Sequence, residues 1–255
     1  MPKRPKVALF VTCLVDLFRP NVAFSTIELL EHVECEVVVP EQQTCCGQPA
    51  YNGGERALAM DIAKSVISEF ESFDYVVLPS GSCGGMLKHH YPMLLEDQPE
   101  WQQRAQKLAD KTFELVTFLT EVKPFTPLGQ HPKRITYHDS CAGLRELGIK
   151  EQPRQLLAQL HSIELKEHAN AETCCGFGGT FCVKYPDVSA EMTRKKLDKI
   201  LASGAQQLVG GDMGCLLTLA GMLKRRNAKI DTYHIAEVLA GRTHLAGIGE
   251  KRKNN

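Results

Sequence analysis

Eight of the ten cysteines in this 255-residue chain fall into two copies of one pattern. The first copy reads Cys13, thirty-one residues, Cys45-Cys46, thirty-six residues beginning with Gly47, Cys83. The second reads Cys141, thirty-two residues, Cys174-Cys175, thirty-nine residues beginning with Gly176, Cys215. Soft thiolates grouped in fours select zinc or iron–sulfur clusters. Structural zinc sites usually take their ligands from separated CxxC knuckles. Two adjacent thiols on a turn diverge instead, and reach different irons of one cluster. All eight thiols are therefore candidate ligands. The first reading is one or two iron–sulfur clusters, [4Fe–4S] in form. Zinc is the alternative, and redox-active or structural thiols come third.

Long spacers imply one strand–helix step per ligand. A strand is expected at 7–11, before Cys13, and its partner at 134–138, before Cys141. Helices follow at 23–32 and 152–160, then strands at 36–39 and 163–165. Each CCG turn comes next, followed by amphipathic helices at 55–70 and 189–202. Strands at 75–78 and 207–209 then lead into Cys83 and Cys215. Alternating strands and helices predict right-handed βαβ units and a parallel sheet. The expected fold is α/β, with two similar doubly wound parallel-sheet halves related by the internal repeat, at 1–123 and 134–245. A Pro- and Gly-bearing linker is expected at 124–133. The cysteines then gather at the carboxyl edges of the strands, where such sheets bind ligands. Gly53-Gly54 and Gly178-Gly179 would let backbone approach a bulky group. The segment 91–107, with the chain's one tryptophan, Trp101, has no counterpart in the second half and reads as a surface helix or docking element.

Charge is balanced, with 30 basic and 30 acidic residues, so nothing points to nucleic acid or a membrane surface. The terminal Lys251-Arg252-Lys253 run reads as a solvated end. The apolar stretch 7–18 contains Asp16 and is too short to span a bilayer, so no transmembrane segment is expected. Met1-Pro2-Lys3-Arg4 imitates a signal-peptide start, but no clean cleavage site follows. A cytoplasmic protein is expected, where clustered cysteines serve metals or redox chemistry more often than disulfides.

The chain resembles the CCG, or cysteine-rich domain, proteins, and among them the lactate utilisation protein A group. The carrying segments are Phe10-Val11-Thr12-Cys13, Cys45-Cys46-Gly47-Gln48-Pro49-Ala50, Cys83, Cys141, Thr173 through Thr180, and His234-Ile235-Ala236-Glu237-Val238-Leu239. Similar domains occur in heterodisulfide reductases and in the iron–sulfur subunits of glycolate oxidase and anaerobic glycerol-3-phosphate dehydrogenase. The resemblance implies an iron–sulfur electron-transfer subunit of a multisubunit complex oxidising L-lactate to pyruvate, working with an iron–sulfur partner subunit and a third subunit. A subunit acting on glycolate, another 2-hydroxy acid or a disulfide is the near alternative; a non-catalytic zinc-stabilised scaffold or assembly factor is the distant one. One departure stands out. The fullest family pattern closes each copy with CxxC and five thiolates for a noncubane double cluster. Ser80 and Asp212 replace the first cysteine of that pair. Four thiolates per copy suffice for an ordinary [4Fe–4S] cluster, and Ser80 and Asp212 read as turn formers.

The remaining candidates are weaker. Cys35 and Cys182 lie outside the repeat. Cys35 reads as a small buried hydrophobe; Cys182, near the second CCG turn, is a candidate supporting ligand. His138-Asp139 stands where the first half has Phe10-Val11. A polar pair in one half only marks a substrate side or proton relay, or simply a hydrogen-bonded strand end. Arg145 is a candidate carboxylate holder or a solvated helix residue. His89 and His90 read as surface or packing residues. No GxGxxG or GxxxxGK[ST] loop appears, so nucleotide binding has no motif support.

Overall fold

The computed structural model describes residues 3–127 and 131–250. The chain divides into two compact units, Met1–Pro124 and Phe125–Asn255, each with its own four-stranded sheet. The first holds β1 (Lys6–Leu9), β2 (Glu36–Val38), β3 (Tyr75–Leu78) and β4 (Thr112–Glu114), in the order β2-β1-β3-β4. The second holds β5 (Arg134–His138), β6 (Glu164–Leu165), β7 (Gln207–Gly210) and β8 (Asp231–His234), in the matching order β6-β5-β7-β8. All neighbours pair in parallel. The order reverses direction between β1 and β3, and again between β5 and β7, which makes each gap a topological switch point.

The central strands are apolar runs because helices cover both faces of a parallel sheet. Val7, Ala8 and Leu9 of β1 and Val76, Val77 and Leu78 of β3 are wholly buried. The helix Arg56–Phe70 places Ala59, Ala63, Val66, Ile67 and Phe70 on its buried face, the spacing of an amphipathic helix. The expected boundaries hold within a few residues. One shifts in a way that matters: β1 ends at Leu9, and Cys13 opens a helix, Cys13–Phe18.

Two elements were not expected. The fourth strands, β4 and β8, are short and carry polar residues, so they leave no hydrophobic run to read. The segment 91–107 also departs from expectation. It forms the helices Tyr91–Leu94 and Pro99–Asp110 on the crossover from β3 to β4. Tyr91, Leu94, Leu95, Ala105 and Leu108 are buried in the first unit's core, and Trp101 packs on that core beside Arg104 and Lys64. It is a core-building crossover with an outer polar face, not a surface appendage; its polar composition misled because only one stripe is apolar.

The expected linker falls partly on 128–130, outside the described residues, as do Met1, Pro2 and the Lys251-Arg252-Lys253 run. His131, at the downstream end of that stretch, is buried and bonds Gln207 of β7 through Nε2 at 2.7 Å. No helix among the described residues is long and apolar enough to cross a membrane.

Candidate metal centres

Each cysteine set gathers at the carboxyl edge of its sheet. Cys13 opens the helix that follows β1 and Cys83 sits in the first turn of the helix that follows β3, so they flank the switch point; Cys141 and Cys215 are placed in the same way after β5 and β7. The CCG turns follow β2 and β6 and bring the paired thiols in from the side. All ten cysteines are free thiols. In the first unit Cys13 Sγ lies 3.8 Å from Cys45 Sγ, and Cys46 Sγ lies 3.3 Å from Cys83 Sγ. In the second, Cys175 Sγ lies 3.0 Å from Cys215 Sγ, and Cys141 bonds Cys174.

The sulfurs polarise one another in the same way in both units. Cys45 accepts from Cys13 and Cys46 and is driven down to about 2; Cys174 accepts from Cys141 and Cys175 and is driven down to about 2. The donating thiols Cys13, Cys46, Cys141 and Cys175 are pushed up, first by those bonds and then by burial. Within each set the accepting sulfur is biased toward the thiolate and its donating neighbours toward the thiol, and a thiophilic cation binding there would displace protons. Four sulfur donors linked pairwise along one sheet edge fit a thiolate-held metal group.

Local sequence explains why the turns close this way. Gly176 has φ +94°, and a Cβ there would sit 2.6 Å from both Ser189 O and Thr193 Oγ1. Gly47 also has positive φ and faces Ile62. The turn carbonyls are tied down as well. Tyr91 Oη donates to Cys46 O at 2.9 Å, Thr193 Oγ1 to Cys175 O at 2.8 Å, and Ser189 Oγ to Gly176 O at 2.8 Å. Ser80 and Asp212 are helix N-caps: Ser80 Oγ accepts from Cys83 N at 3.4 Å, and Asp212 Oδ1 from Gly214 N at 3.2 Å. As turn formers they orient the helix turn that carries the last cysteine of each set. Gly53-Gly54 does something other than expected. Gly53 ends the helix Gln48–Gly53, Gly54 caps it at φ 85°, and nothing crowds Gly54.

The two centres rest on different floors. In the second unit His138 closes β5, is 1% exposed, and has no hydrogen-bond partner for either ring nitrogen among the described residues. Burial pushes it well below the usual histidine range. Asp139 is buried and accepts from Arg154 Nη1 and Nη2, both at 2.9 Å; Arg154 also reaches Glu167. Lys196 is buried, donates to Asn170 O and Ala171 O, and is lowered by burial to about 8. His168 Nδ1 shares a 2.8 Å bond with Thr136 Oγ1, and burial lowers it to about 4. Beside Cys174 opens a cleft of ≈ 670 Å³ lined by Arg145, Lys150, Arg154 and His168 among others. Arg145 is exposed there and has no ion-pair partner among the described residues; Lys150 is paired with Glu172 at 2.6 Å.

Lys196, Arg154 and His168 were not singled out from sequence. A signal existed for Lys196. The buried face of the helix Pro186–Ala202 reads Ser189, Thr193, Lys196, Leu197, Ile200, in the same spacing as Ala59, Ala63, Val66, Ile67, Phe70 in the first unit. Aligning those faces exposes three polar intruders. The Asp139–Arg154 pair carries a stability prediction. Asp139→Ala should lower unfolding free energy by about 3 kcal/mol, the low end for breaking a buried pair, since Glu167 still holds the guanidinium. Urea denaturation checks it, and a loss within error of zero would mean the pair is solvated in effect.

Among the other expected candidates, Cys35 is buried just before β2, at the opposite end of the sheet from the CCG edge. Cys182 donates to Gly179 O at 3.2 Å. His90 stacks on Tyr51 at 4.9 Å, and His89 is exposed.

Residues 7–88 and 135–220 each match the cysteine-rich domain of the CCG family. Lactate utilization protein A of Bacillus cytotoxicus is 47% identical over 239 residues, covering 93% of this chain and all of that protein. Lactate utilization protein A 2 of Bacillus mycoides is 46% identical over the same coverage. The chain belongs to the cysteine-rich CCG family and, within it, to the lactate utilization protein A family. A hypothetical protein from Helicobacter pylori shares the fold, with a TM-score of 0.64 and 12% identity over 99% of this chain; the chain spans 51% of that structure.

Proposed function

We propose that the chain is a cytoplasmic iron–sulfur electron-transfer subunit of a multisubunit complex that oxidises L-lactate to pyruvate. The observation that carries this reading is the twofold gathering of four thiols at a sheet edge, in a chain 47% identical to lactate utilization protein A. Cys13, Cys45, Cys46 and Cys83 would hold one [4Fe–4S] group, and Cys141, Cys174, Cys175 and Cys215 a second. Such a group, when bound, accepts and passes single electrons. The chain's own residues anchor it, orient it through the capped helices, and keep two thiols of each set from water. The cleft beside Cys174 supports a site for a small 2-hydroxy acid, with Arg145 taking the carboxylate. No hydride-accepting loop is recognisable, so turnover needs an iron–sulfur partner subunit and a third subunit.

A second reading, a zinc-stabilised scaffold, has one observation in its favour. The sulfur separations of 3.0 to 3.8 Å lie near or below the spacing of about 3.8 Å across a tetrahedral thiolate zinc site. Metal analysis separates the two. Anaerobically purified chain should carry about four or eight irons with equal acid-labile sulfide, for one or two loaded sites. Stoichiometric zinc without sulfide would overturn the proposal. Combined with its partner subunits, the loaded chain should reduce an acceptor at the expense of lactate, faster than with glycolate. Complete lactate oxidation by this chain alone would refute the subunit reading.

A further inference from the structure

We infer that His138 serves the second centre directly, as an N–H donor to sulfur of the iron–sulfur group held by Cys141, Cys174, Cys175 and Cys215, and that the first centre has no such donor. The inference rests on the iron–sulfur reading above. A ring nitrogen of His138 and the Sγ atoms of Cys175 and Cys215 all lie within 4.8 Å of one another, and all three residues are buried. Neither imidazole nitrogen has a partner among the described residues. Buried N–H groups are seldom left without an acceptor, and the sulfur cluster is the acceptor this environment offers. Four thiols already match the four irons of a [4Fe–4S] group, so the imidazole enters as a hydrogen-bond donor rather than a fifth ligand.

The first unit supplies the contrast. Phe10 follows β1 three residues before Cys13, just as His138 ends β5 three residues before Cys141. Phe10 is wholly buried and packs its ring on Phe70 at 5.2 Å. It has no proton to donate. Beneath the CCG turns, Ala59, Ala63 and Val66 in the first unit correspond to Ser189, Thr193 and Lys196 in the second, so the surroundings differ in the same sense. Hydrogen bonds to cluster sulfur and nearby positive charge stabilise the more negative, reduced state. The second centre therefore takes its electron at higher potential than the first. One electron enters from the reductant, no covalent bond changes, and the N–H proton stays on His138.

The test uses full-length chain carrying ¹⁵N-histidine, loaded anaerobically, beside its His138→Phe and His138→Gln variants. Iron and acid-labile sulfide are measured first. Pulsed EPR of the reduced chain should then show a histidine ¹⁵N coupling on one of two cluster signals. His138→Phe should keep its iron, lose the coupling, and shift the midpoint of that signal alone to lower potential. His138→Gln, which retains an N–H, should lose the coupling but recover part of the potential. Loaded clusters without a histidine coupling in the wild-type chain, or an unmoved midpoint in His138→Phe, would overturn the inference and leave the iron–sulfur reading standing. A chain without iron and sulfide would remove both. Should His138→Phe fail to fold, the wild-type coupling decides the matter by itself.

Discussion

Cys175→Ser is expected to strip the second unit of its iron while leaving the first unit loaded, and Cys46→Ser to do the reverse. Each of these thiols is buried at the centre of its set, in contact with a helix-borne cysteine: Cys215 at 3.0 Å and Cys83 at 3.3 Å. Serine preserves the shape, but its oxygen is a harder and poorer ligand for iron than thiolate. With both centres loaded, each single variant should fall from about eight irons per chain to about four, and the double variant to near none. Lactate-dependent activity with the partner subunits should disappear in Cys175→Ser. Cys35→Ser is the control, since Cys35 sits at the far end of its sheet. If Cys35→Ser bleached the protein and Cys175→Ser did not, the ligand assignment would be wrong.

Gly176→Ala should be among the most damaging small substitutions in the chain. The residue sits at φ +94°, where an L side chain costs about 1–2 kcal/mol. The added methyl would also lie 2.6 Å from a backbone carbonyl, Ser189 O, that the helix cannot easily yield. Overpacking of that kind adds about 1–3 kcal/mol. A loss of about 2–5 kcal/mol in urea denaturation follows from the two together, with release of iron from the second centre. Gly54→Ala isolates the backbone share, because Gly54 has φ +85° and nothing within 4 Å of the new methyl. Equal losses in the two variants would show that crowding at Gly176 is negligible.

How much of this was legible in the sequence depends on which signal each feature leaves. The two thiol sets were readable because thiols are scarce and their spacing repeats. The central strands were readable because burial on both faces writes an apolar run, as in Tyr75-Val76-Val77-Leu78. Strand β4, Thr112-Phe113-Glu114, writes none: its two buried residues are polar, with Thr112 bonded to Leu108 O and Glu114 capping the next turn. The His234–Leu239 segment carried the family resemblance, and its shape follows from a capping box in which Glu237 accepts from His234 N and His234 accepts from Ala236 N. Lys196, in the polar floor of the second unit's site, stayed hidden for a different reason. Lys195 and Lys196 are neighbours on one helix, and only the phase of its buried face tells that the second is inside.

Each unit draws its four thiols from its own span, residues 13–83 and 141–215, and completes its own sheet without a strand from the other. During synthesis the whole first sheet, through β4, has emerged before Arg134 opens the second. Domains fold in that amino-to-carboxyl order as they leave the ribosome. The first thiol set is therefore complete on a half-made chain, before the second exists. On the iron–sulfur reading proposed above, a chain with its first thiol set filled and its second still empty of metal is then accessible during synthesis.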